Sequence, residues 1–217
     1  MNVGIILGAG YGKRFGNKTP KQFCILNNKK VIDYSISAFE NSENINKIII
    51  VVPKEWVEEI TLENKQHLVI SGGNNRKDSS YLALKACPKN TQNVLIHDSA
   101  RPFISTKLID ACIFNLTNHD AVIVSLKATD TIMRVNDEKI TNVEDRETLF
   151  LNQTPQGFKY NIIVNAHENS DTMKTDDISL INLNKNKCMV LEGSYYNIKI
   201  TKPEDIKLAE SIINIIK

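Results

Sequence analysis

The stretch Leu7-Gly8-Ala9-Gly10-Tyr11-Gly12-Lys13-Arg14-Phe15-Gly16-Asn17-Lys18-Thr19-Pro20-Lys21-Gln22 has the residue types and spacing that point most directly to chemistry. Glycines at 8, 10, 12 and 16 let main-chain N–H groups approach an anion with no side chain in the way. Lys13, Arg14, Lys18 and Lys21 add four cations within nine residues. One cation beside a glycine turn is routine, whereas four suit a ligand with several phosphates. The loop reads as a nucleoside triphosphate site. From the loop alone, a tight turn with a solvated basic face is the plainer alternative.

Two other phosphate-binding patterns fail on detail. A dinucleotide fold wants G-x-G-x-x-G and an acid near the end of the next strand to hold a ribose. The glycines here fall at 8, 10 and 12, and the next apolar run, 48–52, ends at Pro53 with no acid. The string G-x-x-x-x-G-K-[ST] of a P-loop does not occur.

Further candidates follow later apolar runs. Ser71-Gly72-Gly73-Asn74-Asn75-Arg76-Lys77-Asp78-Ser79 reads either as a clamp for a base or ribose, made by the two glycines, Gly72 and Gly73, with Arg76 and Ser79, or as a helix N-cap after a turn. In His97-Asp98-Ser99-Ala100-Arg101-Pro102, Asp98 suits Mg²⁺, which takes one or two carboxylates plus substrate phosphates. Arg101 could instead pair with Asp98 as a structural bridge. His97 has no companion ligands and reads as a hydrogen-bonded core residue. Arg146 and Lys199 are isolated cations near expected loop ends, each by itself a solvated charge.

The elements that must position these groups alternate. Apolar runs at 3–7, 47–52, 67–71, 94–97 and 121–126 read as strands. Helical patterns fall near 30–41, 54–64, 76–87 and 106–118, the first with Ile32, Ile36 and Phe39 on one face. This βαβ rhythm predicts an α/β fold with a mostly parallel sheet, flanked by helices, that binds ligands at the carboxyl ends of its strands. Continuous apolar residues over 48–52 fit a strand buried on both sides. The rhythm breaks at 128–152, where two strands around the polar turn Asn136-Asp137-Glu138-Lys139 form a ribbon. A two-stranded ribbon is marginal alone, so it is expected to pack on something, such as another subunit. Thr201-Lys202-Pro203-Glu204 has the form of a capping box and opens a last helix with Ile206, Ala209, Ile213 and Ile216 on its apolar side.

With 217 residues, 41% hydrophobic and 24% charged, the chain reads as one soluble domain with an inserted arm at 128–152. A net charge of +2 gives no footprint for nucleic acid or an anionic membrane. Cys24, Cys87, Cys112 and Cys188 are scattered without a C-x-x-C pair, so they read as thiols of a reducing cytosol. No leader peptide and no membrane-spanning run are expected, and the location is expected to be cytoplasmic.

Taken in order, these strings resemble the cytidylyltransferases that activate polyol phosphates with CTP. The matching pieces are the glycine loop ending in Pro20-Lys21-Gln22, Gly72-Gly73-x-x-Arg76, His97-Asp98-x-x-Arg101-Pro102, Asp130-Thr131-Ile132, Gln153-Thr154-Pro155-Gln156, Thr175-Asp176-Asp177 and Asn197-Ile198-Lys199-x-Thr201. The resemblance implies a Rossmann-like nucleotidyltransferase fold, and attack of a substrate phosphate on the α-phosphorus of CTP with loss of diphosphate. It implies that Arg14 and Lys21 neutralise charge at the α-phosphate and the leaving diphosphate, and that Asp98 holds Mg²⁺. Leu7, Gly8, Ala9, Gly10, Gly12, Gly72, Arg76, Ser79 and Arg101 would line the nucleotide site. Thr131, Arg146 and Lys199 would grip the polyol phosphate. The 128–152 ribbon would exchange within a homodimer, so that Thr131 and Arg146 serve the neighbour's site. Asp145-Arg146-x-x-Leu149 and Thr175-Asp176-Asp177-x-Ser179-Leu180 resemble enzymes acting on 2-C-methyl-D-erythritol 4-phosphate. Arg76-x-Asp78-Ser79 and Ala128-x-Asp130-Thr131 resemble those acting on D-ribitol 5-phosphate, and the balance favours methylerythritol phosphate. A dinucleotide-dependent oxidoreductase and a silent nucleotide-binding module are the competing classes. The missing ribose acid speaks against the first, and retention of Arg14, Lys21 and Asp98 together against the second.

Overall fold

Apolar runs too short for helices and bounded by polar turns set the frame. The computed structural model describes residues 1–12, 15, 19–60, 67–170 and 176–216. Strand β1 (Asn2–Leu7) leads through the glycine loop to a small hairpin, β2 (Ile25–Leu26) and β3 (Lys29–Lys30), then to helix α1 (Val31–Glu40). Next come β4 (Lys47–Val52), β5 (Leu68–Ser71), α2 (Arg76–Lys85), β6 (Asn93–Asp98), α3 (Thr106–Asn115) and β7 (Ala121–Lys127). The second half holds β8 (Met133–Asn136), β9 (Lys139–Val143), β10 (Phe150–Lys159), α4 (Tyr160–Glu168), β11 (Cys188–Glu192) and α5 (Glu204–Ile216).

Seven strands form one sheet in the order β11-β7-β10-β6-β1-β4-β5. All neighbours run parallel except β10, which is antiparallel to both β6 and β7. The two-faced burial expected for β4 is present. Ile48, Ile50 and Val52 pack with Ile32, Ile36 and Phe39 of α1 and Ile109, Cys112 and Ile113 of α3. Ile49 and Val51 face the other way, toward Ala83 and Leu84 of α2 and Ile163 of α4. Truncating one of these fully buried isoleucines to alanine costs about 2–5 kcal/mol. A third cluster docks Ala209, Ile212 and Ile213 of α5 on Leu26, Val31 and Ile200, next to Lys199.

Several expectations need correction. The helix expected over 54–64 is, in its described part, a 3-10 turn at Lys54–Trp56 followed by irregular chain. Trp56 turns back to stack on Phe23, with ring centroids 4.1 Å apart, and Val57 and Ile60 reach the core without helical periodicity. The motif Gln153-Thr154-Pro155-Gln156 lies inside β10, in the middle of the sheet, with all four residues buried. Its register shifts between Asn152 and Gln156, which accommodates Pro155, a residue with no N–H for the ladder. At α5 the box is closed by Asp205 instead of Glu204. Asp205 accepts from Thr201 N at 2.7 Å, Thr201 Oγ at 2.8 Å and Lys202 N at 2.9 Å.

The ribbon is present, and β8 and β9 pair with each other as a separate two-stranded sheet. Asp137 and Glu138 at its tip have φ of 46° and 63°, the left-handed pair that a tight hairpin turn needs. Every residue of both strands is exposed.

Candidate active site

β1 and β6 end side by side, with Leu7 paired to Asp98, so both strands deliver their next residues to the carboxyl edge of the sheet. Between them and the start of α2 lies a cavity of about 520 Å³. Leu7, Ala9, Gly10 and Tyr11 line one side, Gly73 to Arg76 and Ser79 another, and Asp98, Ala100 and Lys199 the floor. A second cavity of about 530 Å³, against α5, brings only one charged side chain, Lys29, and is otherwise lined by groups such as Phe103 and Ile213. The charged chemistry is in the first.

The glycine loop is shaped by bonds that use some of its donors. Gly8 N donates to Val51 O at 2.7 Å and Gly72 N to Val52 O at 2.9 Å, so neither N–H is left for an anion. Gly72 is instead required by close approach, because a Cβ there would sit 2.2 Å from Cβ of Ala9. Gly10 is open, with nothing within 4 Å of an added Cβ, and Gly12 takes φ of 62°, which a β-carbon disfavours. Gln22, 1% exposed, closes the loop from behind. Its Nε2 donates to Gly8 O and, at 3.1 Å, to Gly10 O, which ties down both carbonyls. The motif Pro20-Lys21-Gln22 contains this residue, but only the fold shows what its amide does. Tyr11 is held from outside by its hydroxyl, 2.7 Å from Glu55 Oε1.

At the start of α2, Asn75 is the N-cap and accepts from Asp78 N at 2.9 Å. The N-cap reading of this segment therefore holds, and the same loop lines the cavity. The Ser79 hydroxyl is committed to the loop. It donates to Asn75 O at 2.9 Å and accepts from Gly73 N at 3.1 Å, so Ser79 shapes the wall.

Asp98 carries the electrostatics. Its Oδ1 accepts from Arg76 Nε at 3.1 Å and its Oδ2 from Lys199 Nζ at 2.5 Å. Burial works to raise its pKa, but the charges of Arg76 and Lys199 outweigh it and hold the carboxyl well below the usual range. The bridge to Asp98 comes from Arg76 and not from Arg101. Arg101 donates to Asn197 O at 2.7 Å and Asn152 O at 3.3 Å, and it braces the segment that carries Lys199. Lys21 reaches the same segment, with Nζ 2.6 Å from Ile200 O.

Behind Asp98 a buried chain of bonds fixes the strand end. Asp98 N donates to Thr154 Oγ1 at 3.1 Å, and Thr154 Oγ1 lies 3.0 Å from His97 Nδ1. His97 Nε2 lies 3.1 Å from Arg101 O. His97 is thus the hydrogen-bonded core residue expected of it, fully buried, and burial pushes its pKa down to about 4. Asn197 Nδ2 donates to Thr154 O at 2.9 Å and joins the two halves of this floor.

Other expected residues lie elsewhere. Thr131 and Arg146 are exposed on the ribbon and its base, outside the cavity of their own chain. Arg146 Nη1 donates to Thr129 O at 3.0 Å. Arg14, with Lys13, Lys18 and Thr175, falls outside the described residues.

The family model for 2-C-methyl-D-erythritol 4-phosphate cytidylyltransferase (IspD) matches residues 3–215. The 2-C-methyl-D-erythritol 4-phosphate cytidylyltransferase of Clostridioides difficile is 39% identical over 224 residues, spanning 98% of this chain and 94% of its own. The enzyme of that name from Caldicellulosiruptor bescii is 39% identical over 215 residues, 96% of each chain. The crystal structure of 4-diphosphocytidyl-2C-methyl-D-erythritol synthase from Anaerococcus prevotii superposes with a TM-score of 0.86 at 29% identity, covering 98% of both chains. These matches run through the glycine loop, the Asp98 strand end and the Lys199 segment alike, and the chain belongs to the 2-C-methyl-D-erythritol 4-phosphate cytidylyltransferase family.

Proposed function

We propose that this protein transfers CMP from CTP to 2-C-methyl-D-erythritol 4-phosphate and releases diphosphate. The observation that carries this reading is Asp98, bridged by Arg76 and Lys199, facing Ala9 and Gly10 across one cavity in a chain of this family. The acceptor is the one named for the relatives.

In the reaction, an oxygen of the acceptor's phosphate forms a bond to the α-phosphorus. The bond to the β,γ-diphosphate breaks, and its electron pair leaves with the diphosphate. Such transfer depends on positioning and on neutralising charge. Leu7, Ala9 and Gly10, opposite Gly73 and Arg76, form the cytidine end of the site. Lys21, and with it Arg14, neutralises charge at the α-phosphate and the leaving group. Lys199, whose side chain is 38% exposed, exchanges Asp98 for a substrate phosphate.

Among the described residues no cluster of three or more His, Cys, Asp or Glu could cage a metal ion. One ionised carboxylate at a phosphate site is nevertheless what Mg²⁺ uses when the substrate supplies the remaining oxygens. Asp98 therefore fits Mg²⁺ together with CTP, and the ion would neutralise phosphate charge there.

The protein acts as a homodimer joined through the ribbon. Met133, Val135, Ile140, Val143, Phe150 and Leu151 are each between 46% and 60% exposed, an apolar surface that a second copy would cover. Thr131 and Arg146 would then serve the neighbour's cavity. No helix among the described residues is long and apolar enough to cross a membrane, and a cytoplasmic location is part of the same reading.

The test is diphosphate release from CTP and Mg²⁺ with 2-C-methyl-D-erythritol 4-phosphate, D-ribitol 5-phosphate and glycerol phosphates in parallel. Turnover is expected with the first. Turnover with one of the others instead would move the enzyme to surface-polymer precursors, and silence with all would overturn the reading.

A further inference from the structure

Asp177 has no part in the reaction described above, yet it is among the most buried charges of the chain, at 1% exposure. Its Oδ1 accepts from Ser80 Oγ at 2.7 Å and from His167 Nε2 at 3.0 Å, and its Oδ2 accepts from Arg76 Nη1 at 2.6 Å. Burial works to raise its pKa, but the His167 hydrogen bond, the Arg76 charge and the Ser80 hydrogen bond outweigh it and keep the group ionised. Asp177 does not line the cavity, whereas Arg76 does.

We propose that Asp177 is a positioning residue that aims Arg76 at Asp98. Arg76 and Ser80 stand one turn apart on α2 and meet Asp177 from the same face. His167 comes from α4, and the turn after Asp177 is tied to β10 by Ile178 N donating to Gln156 Oε1 at 3.1 Å. Three elements thus hold one carboxylate still. Arg76 is gripped at Nη1 by that fixed carboxylate and presents Nε to Asp98 Oδ1 at 3.1 Å.

The arrangement matters most when the site fills. On the reading above, Asp98 gives up Lys199 as CTP and Mg²⁺ arrive. A guanidinium held by Asp98 alone would follow it, because a long side chain with one partner swings with that partner. Asp177 keeps a second hold on Arg76, so the nucleotide wall stays in place while Asp98 changes partners. It also shares the Arg76 charge. Without the Asp177 charge, Arg76 would draw Asp98 toward itself and away from the phosphates.

The test rests on the proposed function for its kinetic arm and is independent of it for its binding arm. Asp177→Asn keeps the size and removes the charge. KM for CTP should rise roughly tenfold, the scale of coupling between residues in one network, with a smaller fall in kcat and little change in KM for the acceptor. Calorimetric titration with CTP should show the same loss of affinity. In an Arg76→Gln background the further loss from D177N should vanish, since the effect runs through Arg76. If D177N does not fold, Ser80→Ala removes one donor and leaves the charge, and a rise in KM for CTP of about two- to threefold is expected. A lowered Tm with unchanged KM and CTP affinity would overturn the proposal, as would additive losses in the double variant. Absence of turnover in the wild-type protein would defeat the proposed function alone, because CTP calorimetry on the same variants still reads the Asp177 effect.

Discussion

His97 makes the stability of this protein depend on pH in a direction its environment dictates. Arg101 O can only accept, so His97 Nε2 carries the hydrogen of the neutral ring, and the bare Nδ1 accepts from the Thr154 hydroxyl, whose oxygen also accepts from Asp98 N. In the neutral ring both nitrogens are bonded, and a second proton would turn the Thr154 hydroxyl from donor to acceptor and bury a charge. Burial therefore holds the folded pKa at about 4, against roughly 6.5 in the unfolded chain. As pH falls, the unfolded chain takes up the proton first. The contribution is full above about pH 6.5 and is lost progressively down to about pH 4. Between pH 7 and pH 5 the loss is about 2 kcal/mol, or a fall in Tm of roughly 4–8 °C for a chain of this size. The assay is thermal unfolding followed by circular dichroism at pH 7, 6 and 5, on the wild type and on His97→Gln. The variant starts lower at pH 7, because the Thr154 hydroxyl loses its acceptor. It should lose less on acidification, so that the gap narrows by about 2 kcal/mol at pH 5. His67, whose pKa burial also lowers, is common to both proteins and cancels in the difference. A gap of constant size from pH 7 to pH 5 would refute the reasoning.

Two other outcomes are expected. On the proposed function, Lys21→Ala should lower turnover about 10²- to 10³-fold while the far-ultraviolet spectrum is retained, since it removes a charge-stabilising group; unchanged turnover would remove Lys21 from the chemistry. Ile140→Asp on the ribbon should shift sedimentation toward the monomer, with activity falling alongside and recovering at higher protein concentration. A monomeric wild type of full activity would end the ribbon-exchange idea.

The sheet was legible because its strands are continuous apolar runs, as at Ile48 to Val52, and a double-sided burial leaves little choice of structure. The ribbon was legible for a different reason, the polar four-residue turn between two β-branched stretches. β10, α4 and β11 stayed hidden, and β10 shows why. Gln153, Thr154 and Gln156 look like loop residues, and they are buried only because each finds a partner from distant sequence: Ser194 and Asn197, Asp98 and His97, and Ile178. No local pattern encodes those pairings. The segment 54–60 is irregular for a similar reason, since the partner of Trp56 is Phe23, distant in sequence. At the site, residue types announced the charges, but their pairing was not readable. Arg76 and Arg101 are each within reach of a strand end, and only the fold decides that one meets Asp98 and the other meets main-chain carbonyls.

The pairing has a consequence for catalysis. Lys199 rests on Asp98, and Lys21 rests on the carbonyl of Ile200, the very next residue. That segment is itself fixed, because Ile200 N donates to Ala100 O at 2.8 Å, Asn197 is tied to Thr154, and Asp205 caps α5 on Thr201. Two cations gathered at one mouth are thereby held by protein partners before any phosphate arrives. A substrate phosphate must displace a carboxylate from Lys199 and a carbonyl from Lys21, so its gain in the ground state is a difference between two comparable interactions. In the transition state, charge accumulates on the leaving diphosphate, and neither Asp98 nor the Ile200 carbonyl can match it. On the proposed function, the same two lysines would then gain more from the reacting group than from their resting partners. Binding energy withheld from the ground state is the form of stabilisation that raises kcat. The paired resting state is therefore part of how the site would work on the proposed function, and Asp98→Asn should slow turnover, since it removes both the resting partner of Lys199 and the carboxylate placed to hold Mg²⁺ with CTP.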